Sequence, residues 1–260
     1  MKNNCELELK RLTGKKYLVF VRRGNTAILA SLKLVKKLGY ETVLIQDQGG
    51  WMTYQQYIRK LKLNELRLKT DYGLVSNIKE KNAALLFNSM AGYFALQDMK
   101  LISDFSKKNK LFLINDVSGS IGTEEAKYGD VIVGSFGRWK SLNLEEGAFI
   151  AVDKKEYYDF FQDFSVDIDY EKLYKKLSRL KDKLLFFDVV RTKIIHELSD
   201  YEVIHRNKLG INVIIKFSSD DEKEKLINYC KENNYEFVEC PRYIKVLDNA
   251  ISIEVKRLEL

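Results

Sequence analysis

The alternation of short apolar runs with stretches of helical spacing constrains the fold of this chain more than any other feature. Apolar runs that end near residues 21, 46, 87, 114 and 133 each have the length of a single strand. Several intervening segments repeat apolar residues at the three-to-four-residue spacing of a helix. Strands that are apolar throughout are typical of sheets covered on both sides. The sequence therefore predicts an α/β fold, in which a mostly parallel sheet carries helices on both faces.

The second part of the chain follows a different pattern and predicts a separate small lobe. Residues 170–198 carry leucines at helical spacing and predict one long amphipathic helix. The remaining residues predict a strand at 212–217, a helix at 221–233, and strands at 235–239, 244–246 and 250–255. We therefore expect a large domain over residues 1–155, a connecting helical segment over 156–208 and a small α+β domain over 209–260.

Composition limits the classes of function and location. The chain has 44 Lys and Arg against 37 Asp and Glu, for a net charge of +7. These lysines are scattered among acidic residues, which favours a generally basic protein over a nucleic-acid-binding one. No apolar run approaches the roughly 18 residues of a membrane helix. Cys5, Cys230 and Cys240 have no metal-ligand spacing, and their odd number indicates reduced thiols in a cytoplasmic protein.

Polar and aromatic residues follow several of the predicted strands directly. Gly24, Asn25 and Thr26 open a helix after the first strand, where unpaired backbone N–H groups can bind an anion. Trp51 and Asp116 follow two later strands. Each has an ordinary alternative, since a tryptophan can pack in a loop and an aspartate can cap a turn. Because the carboxyl ends of parallel strands meet at one edge of a sheet, we expect these residues to converge.

Lys140 is the candidate for the reactive residue. It lies shortly after the apolar residues 131–133, in a segment that contains Ser135 and glycines. A lysine next to a buried strand can lose its proton more easily, because burial and neighbouring cations lower the pKa of an amine. Such an amine can attack a carbonyl carbon. The alternative is an exposed loop lysine. Only the other candidate site residues can decide between the two interpretations.

The ordered set of these residues resembles the fold-type I pyridoxal-phosphate enzymes, and most of all the DegT-type aminotransferases. The set comprises Gly24-Asn25-Thr26, Trp51, Asp116-x-Ser118, the segment from Ser135 to Lys140, and Glu145-Glu146-Gly147. The similarity covers about residues 17–155. In that family an SF-x-x-x-K segment carries the Schiff-base lysine, and residues 135–140 match it. The resemblance implies pyridoxal 5'-phosphate as cofactor, an amino donor and a keto acid or keto sugar as substrates, and a homodimer.

The resemblance also implies a role for each residue. Lys140 would carry the cofactor and move protons, and Asp116 would hold the pyridine nitrogen protonated. Trp51 would stack on the ring. Ser118 completes the set of cofactor-binding positions. The phosphate would be held by Ser135 and by the N–H groups of Gly24, Asn25 and Thr26.

Two other functions stay open at this point. One is lyase or decarboxylase chemistry with the same cofactor, and the other is a non-catalytic protein of this fold that binds a partner or RNA. The chain starts almost directly at its first strand, so we expect the family's N-terminal helices to be missing. Arg242 is a candidate for binding a substrate carboxylate. His196 and His205 fit no catalytic or metal-binding arrangement.

Overall fold

A computed structural model describes all residues from 1 to 260. The helices are α1 (Lys2–Thr13), α2 (Gly24–Lys37), α3 (Met52–Lys60), α4 (Met99–Lys108), α5 (Lys155–Phe161), α6 (Tyr170–Ser178), α7 (Leu180–Glu197) and α8 (Asp220–Glu232). The strands are β1 (Tyr17–Val21), β2 (Thr42–Gln46), β3 (Asn64–Leu68), β4 (Ala84–Asn88), β5 (Met90–Ala91), β6 (Ala95–Leu96), β7 (Phe112–Asp116), β8 (Val131–Ser135), β9 (Ala148–Val152), β10 (Val213–Lys216), β11 (Phe237–Cys240) and β12 (Ala250–Ile253). Three single-turn 3-10 helices span Glu124–Lys127, Gln162–Phe164 and Val255–Arg257.

The large sheet has seven strands in the order β1-β9-β8-β7-β4-β2-β3. Only β9 runs against its neighbours, pairing antiparallel with both β1 and β8. The other pairings in this sheet are parallel. The predicted mostly parallel sheet is therefore confirmed.

Helices cover both faces of this sheet because its strands are apolar on both sides. Every residue of β4 and β7 is buried. On one face, alternate strand residues such as Val43 and Ile114 pack with α2, α3 and α5. On the opposite face, Leu18 and its equivalents pack with α1 and α6 at one end of the sheet. At the other end, residues such as Leu85 pack with α4. This two-sided arrangement confirms the predicted fold class.

The C-terminal residues form a smaller antiparallel sheet in the order β10-β12-β11. Helix α8 packs on this sheet through Leu226 and Cys230. Its strands contribute Ile215 and Ile253 to the same core, which also receives Phe187 from α7. We call residues 209–260 the small lobe. Within it, the expected strand at 244–246 is wrong, because backbone hydrogen bonds from Lys245 to Arg242 and from Arg242 to Val246 close a turn there.

Two expectations about the helices are also wrong. A helix does precede the first strand, since α1 buries Cys5 and Leu9 completely against Leu173 and Leu177 of α6. The single long helix expected over 170–198 is two helices, α6 and α7, which are separated at Arg179. Its apolar residues therefore serve two different cores, one beside the large sheet and one in the small lobe.

None of the helices combines the length and the apolar character that crossing a membrane would require.

Candidate active site

A cavity of about 590 Å³ lies where the loops after β1, β7 and β8 meet the small lobe. From the large sheet it is lined by Gly24, Asn25, Trp51, Asp116, Ser118, Ser135 and Lys140, among others. From the small lobe it is lined by Val238, Arg242, Ile244, Lys245, Glu254, Lys256 and Arg257. The residues that the sequence placed after separate strands thus share one cavity, with the exception of Thr26.

Lys140 lies in the turn that follows β8, and its side chain is partly buried. Its Nζ atom hydrogen-bonds to the hydroxyl of Tyr93. The same nitrogen lies 4.7 Å from the ring centre of Trp51 and 4.4 Å from that of Tyr93. Burial lowers the pKa of Lys140 to about 8, although the carboxylate of Asp116 acts in the opposite direction. Lys140 is therefore an amine that can be neutral near physiological pH.

Asp116 ends β7 and is 5% exposed. Its Oδ2 accepts a hydrogen bond from the hydroxyl of Tyr54 at 2.7 Å, and its Oδ1 accepts one from the backbone N–H of Ser118 at 3.0 Å. Burial, together with Asp116, raises the pKa of Tyr54 well above its ordinary value. The phenol therefore remains a donor, and it holds the carboxylate in a fixed orientation on the cavity wall.

The start of α2 approaches the end of β8 closely at Gly24. A Cβ atom at position 24 would lie 2.8 Å from the Cβ and 2.9 Å from the Oγ of Ser135, so only glycine fits without a shift. Ser135 is held by Ser118, whose Oγ accepts a hydrogen bond from the Ser135 N–H at 3.0 Å. Gly24, Ser118 and Ser135 therefore form one wall of the cavity beside the N-terminal end of α2, where a helix can bind an anion.

Asn25 and Thr26 are oriented differently from Gly24. The Asn25 Oδ1 accepts hydrogen bonds from Trp51 Nε1 at 3.0 Å and from Thr53 Oγ1 at 3.2 Å. Asn25 therefore fixes the position of the indole ring. The backbone N–H of Thr26 donates to the carbonyl of Arg23 at 3.0 Å, and Thr26 does not line the cavity. The first turn of α2 therefore uses the Thr26 N–H in this structure, and a contact between Thr26 and a phosphate stays a prediction.

Arg242 has an exposed side chain and lines the same cavity from the small lobe. Trp139 lies nearby, and the guanidinium carbon of Arg257 is 4.1 Å from its ring centre. The loop that carries Lys140 therefore contacts the small lobe directly, so the small lobe forms one side of the site.

The site also contains a buried charge cluster that the sequence analysis missed. We call Lys245, Glu254 and Lys256 the buried triad; they are 3%, 2% and 7% exposed. Glu254 pairs with Lys245 at 2.5 Å and also with Lys256. Burial alone would raise the pKa of Glu254, but the two lysines hold it well below its ordinary value. Burial, reinforced by Lys245, lowers the pKa of Lys256 well below its ordinary value.

Tyr54 and Tyr93 were missed for a different reason. Tyr54 is followed by Ile58 at helical spacing on α3, which predicts an ordinary core residue. Tyr93 lies in the turn of the β5-β6 hairpin, which consists of two strands too short to produce an alternating pattern. The triad could have been found from the sequence, because Glu254 interrupts the mostly apolar run 250–255. A carboxylate buried in such a run needs cationic partners, which predicts nearby lysines or arginines.

Comparison with protein families divides the chain into two parts. Residues 2–167 match the profile of the DegT/DnrJ/EryC1/StrS aminotransferase family. Residues 168–260 match the MJ1341 family C-terminal domain. A search of curated proteins found no match for this sequence.

Solved structures share the fold at low sequence identity. A 3-amino-5-hydroxybenzoic acid synthase is 15% identical with a TM-score of 0.76, covering 98% of this chain and 85% of its own. A DegT DnrJ EryC1 StrS aminotransferase from Brucella abortus is 15% identical with a TM-score of 0.75, at coverages of 97% and 84%. An E. coli GDP-4-keto-6-deoxy-D-mannose-3-dehydratase with bound hydrated PLP is 14% identical with a TM-score of 0.76, at coverages of 99% and 88%.

Proposed function

Because the chain belongs to the DegT/DnrJ/EryC1/StrS aminotransferase family, we propose that it is a pyridoxal-phosphate-dependent aminotransferase. It would move an amino group between an amino acid and a keto acid or keto sugar. The observation that carries this proposal is that Lys140 and Asp116 line one cavity together with the ring of Trp51. A lysine amine, a buried carboxylate and a flat aromatic surface are the groups that a pyridine aldehyde cofactor requires.

The residues present fit pyridoxal phosphate. Gly24, at the start of α2, and Ser135 lie against each other on the cavity wall, and a helix start of this kind suits a phosphate. Ser118 and Ser135 would hold the phosphate together with the backbone N–H of Gly24. Asp116, already oriented by Tyr54, would accept a hydrogen bond from the ring nitrogen. Asn25 would act through Trp51, whose indole it fixes for contact with the ring.

When bound, pyridoxal phosphate supplies an electron sink for the negative charge that develops on the α-carbon of the substrate. The protein would supply the proton transfers. Lys140 Nζ, with a pKa of about 8, can take a proton from the substrate α-carbon and return it elsewhere. The hydroxyl of Tyr93 hydrogen-bonds to this nitrogen and would keep it aimed into the cavity. Arg242 would bind a carboxylate of the substrate from the small lobe.

The first experiment measures the visible absorption spectrum of the purified protein with added pyridoxal phosphate. We expect a visible band that is lost in Lys140→Ala, because the band requires the amine of residue 140. Lys175→Ala is the control, since Lys175 is exposed and pairs only with Glu171 on the surface of α6. A colourless wild-type protein would contradict the cofactor proposal and favour a non-catalytic role. RNA binding that weakens steeply with salt would then support the alternative of a non-catalytic protein that binds RNA.

A lyase is the second candidate, because a dehydratase is among the proteins of similar fold. A panel of amino acids, added one at a time to the coloured protein without an acceptor, separates the two activities. An aminotransferase converts one amino acid to its keto acid and loses the visible band in a single turnover. A lyase releases its product and retains the band. The free, buried thiols of Cys5, Cys230 and Cys240 support a reducing, cytoplasmic location for either activity.

A further inference from the structure

The ring of Tyr93 is close to the reactive amine and to both lysines of the buried triad. Lys140 Nζ is 4.4 Å from the ring centre, Lys256 Nζ is 4.7 Å from it and Lys245 Nζ is 5.7 Å from it. Three amines from two parts of the chain therefore surround one buried aromatic side chain. Like charges at such separations repel one another, and salt screens this repulsion little when the groups are buried.

The triad carries more positive than negative charge when both lysines are protonated. Glu254 is saturated with donors, since its Oε1 accepts from Lys245, from Asn212 at 3.2 Å and from Ser252 at 2.7 Å. Its Oε2 accepts from Lys256. Lys245 has one further acceptor, the carbonyl of Gly92 at 3.3 Å, whereas Lys256 has none. Each ammonium in this cluster favours the neutral form of Lys140, and the carboxylate favours its charged form.

We propose that the buried triad of the small lobe, which shares the ring of Tyr93 with the reactive amine, sets the protonation state of Lys140. Lys245, Glu254 and Lys256 are then positioning residues, which act through the reactive amine. The inference deepens the proposed function, on which its catalytic meaning rests. The sign of each effect agrees with the electrostatics of the site, since Lys245 lowers the pKa of Lys140 and Glu254 raises it.

Other charged groups also face Lys140, and the variants of the test must leave them unchanged. Asp116 acts on it from β7, with Tyr54 behind the carboxylate. The remaining charged groups that line the cavity are Arg23, Arg138, Glu145, Glu146, Arg242 and Arg257. Of these, Arg138 and Glu145 lie within 3.8 Å of each other, and Arg257 pairs with Glu236 at 2.5 Å. Only the triad combines nearly complete burial with amines within 5.7 Å of the Tyr93 ring centre, so it is the cluster to change.

The test measures the nucleophilicity of the Lys140 amine without any cofactor. Formaldehyde and cyanoborohydride methylate neutral amines, and mass spectrometry of the digest reports the extent at Lys140 and, as an internal reference, at Lys175. In the wild type we expect methylation of Lys140 to reach half its maximum near pH 8, below the midpoint for Lys175. Because no cofactor is used, the proposed enzyme function and this inference can fail separately.

The variants give shifts of opposite sign. Glu254→Gln removes the negative charge and should lower the Lys140 midpoint by about one pH unit, the scale of one close charge. Lys245→Met removes a positive charge and should raise the midpoint. The double variant Glu254→Gln/Lys245→Met should return it towards the wild-type value. Lys231→Met, at an exposed lysine on α8, is the control and should leave the Lys140 midpoint unchanged.

If the role of the triad were purely structural, the shift of the Lys140 midpoint would not change sign between Glu254→Gln and Lys245→Met. If Glu254→Gln and Lys245→Met move the midpoint in the same direction, or leave it unchanged while circular dichroism shows folded protein, the proposal is wrong. Should Glu254→Gln fail to fold, Lys245→Met decides the test. It must then raise the midpoint, and an unchanged or lowered value overturns the proposal.

Discussion

Tyr54 controls the orientation of the Asp116 carboxylate. The phenol and the carboxylate are both buried, and their hydrogen bond is 2.7 Å long. We expect Tyr54→Phe to lower the free energy of unfolding by about 1.5–3 kcal/mol, as for other hydrogen bonds to charged groups. Urea denaturation measures this change. Tyr57→Phe on the same helix is the control, and equal losses in the two variants would mean that Tyr54 contributes only by packing.

Gly24 limits how closely α2 can approach β8. The Cβ of alanine at this position would lie 2.8 Å from the Cβ of Ser135, so one of the two segments must move. We expect Gly24→Ala to weaken pyridoxal phosphate binding on the order of tenfold, which corresponds to about 1.4 kcal/mol. Titration of the visible band measures the dissociation constant.

A second pair of variants separates steric conflict from loss of the serine hydroxyl. Ser135→Gly removes the two atoms that would lie less than 3 Å from the new Cβ, so Gly24→Ala should have little further effect in that background. If the two substitutions weaken binding additively, the close approach between these residues is not the cause.

The lowered pKa of Lys140 makes a prediction about pH. A pKa of about 8, below the ordinary value of 10.5, leaves about one amine in ten neutral at pH 7, and the neutral form is the nucleophile. The rate of pyridoxal phosphate capture should therefore rise with pH up to about 8 and then level off. Stopped-flow absorbance measures this rate. A rate that keeps rising tenfold per pH unit beyond pH 9 would mean that the amine titrates like an exposed lysine.

The residues that could be predicted are those that follow a strand directly. Lys140 and Asp116 stand next to apolar runs, where a charged side chain is unusual, and an ordered motif connects them. The roles assigned to them stay proposals until the cofactor experiment. Tyr93 could not be found in this way, because its importance comes from the ring's position between two lobes that are distant in sequence.

Among the secondary structure elements, the buried strands were the most predictable. A strand such as β4, whose side chains are buried on both faces, leaves an unbroken apolar run in the sequence. The direction of β9 leaves no such mark, because an antiparallel strand in this position has the same apolar residues as a parallel one. Helix α1 was missed because only Cys5, Leu9 and Thr13 are buried, one residue per turn among mostly charged neighbours.

The burial of Leu9 predicts that α1 is part of the cooperative fold. Leu9 is 0% exposed and packs in the core that also contains Leu173 and Leu177. Leu9→Ala should lower the free energy of unfolding by about 2–5 kcal/mol, the usual cost of removing a buried leucine side chain. Leu101→Ala, at a leucine that is 42% exposed on α4, should change it by less than about 0.5 kcal/mol. Urea denaturation of both variants tests this, and a small effect at Leu9 would mean that α1 unfolds independently.

In the whole molecule, the small lobe packs against the loop that carries Lys140. Arg242, Lys245 and Arg257 all reach the cavity from this lobe, so the lobe contributes to the site as well as bracing it. The sequence predicted the two sheets, but it contained no information about how one faces the other. The division into residues 1–155, 156–208 and 209–260 stays a prediction.

Helix α7 exposes apolar side chains that predict a contact with a second copy of the chain. Leu185 and Val189 lie one turn apart and are 57% and 69% exposed, and Leu209 nearby is 55% exposed. Leu185 and Leu209 line a groove of about 1080 Å³ that also contains Leu7. Exposed apolar surface of this kind is typical of protein–protein interfaces. We therefore expect a homodimer in which α7 is buried.

Sedimentation velocity measures the mass, which should be twice that of one chain. Leu185→Lys/Val189→Lys should shift the protein to monomer, because two ammonium groups would have to be buried in the interface. Leu101→Lys adds a charge at an exposed leucine on another helix and should leave the dimer intact. A dimer that survives the double substitution would use another surface. A wild-type protein that remains monomeric at every concentration would contradict the prediction itself, and the site would then be built from one chain alone.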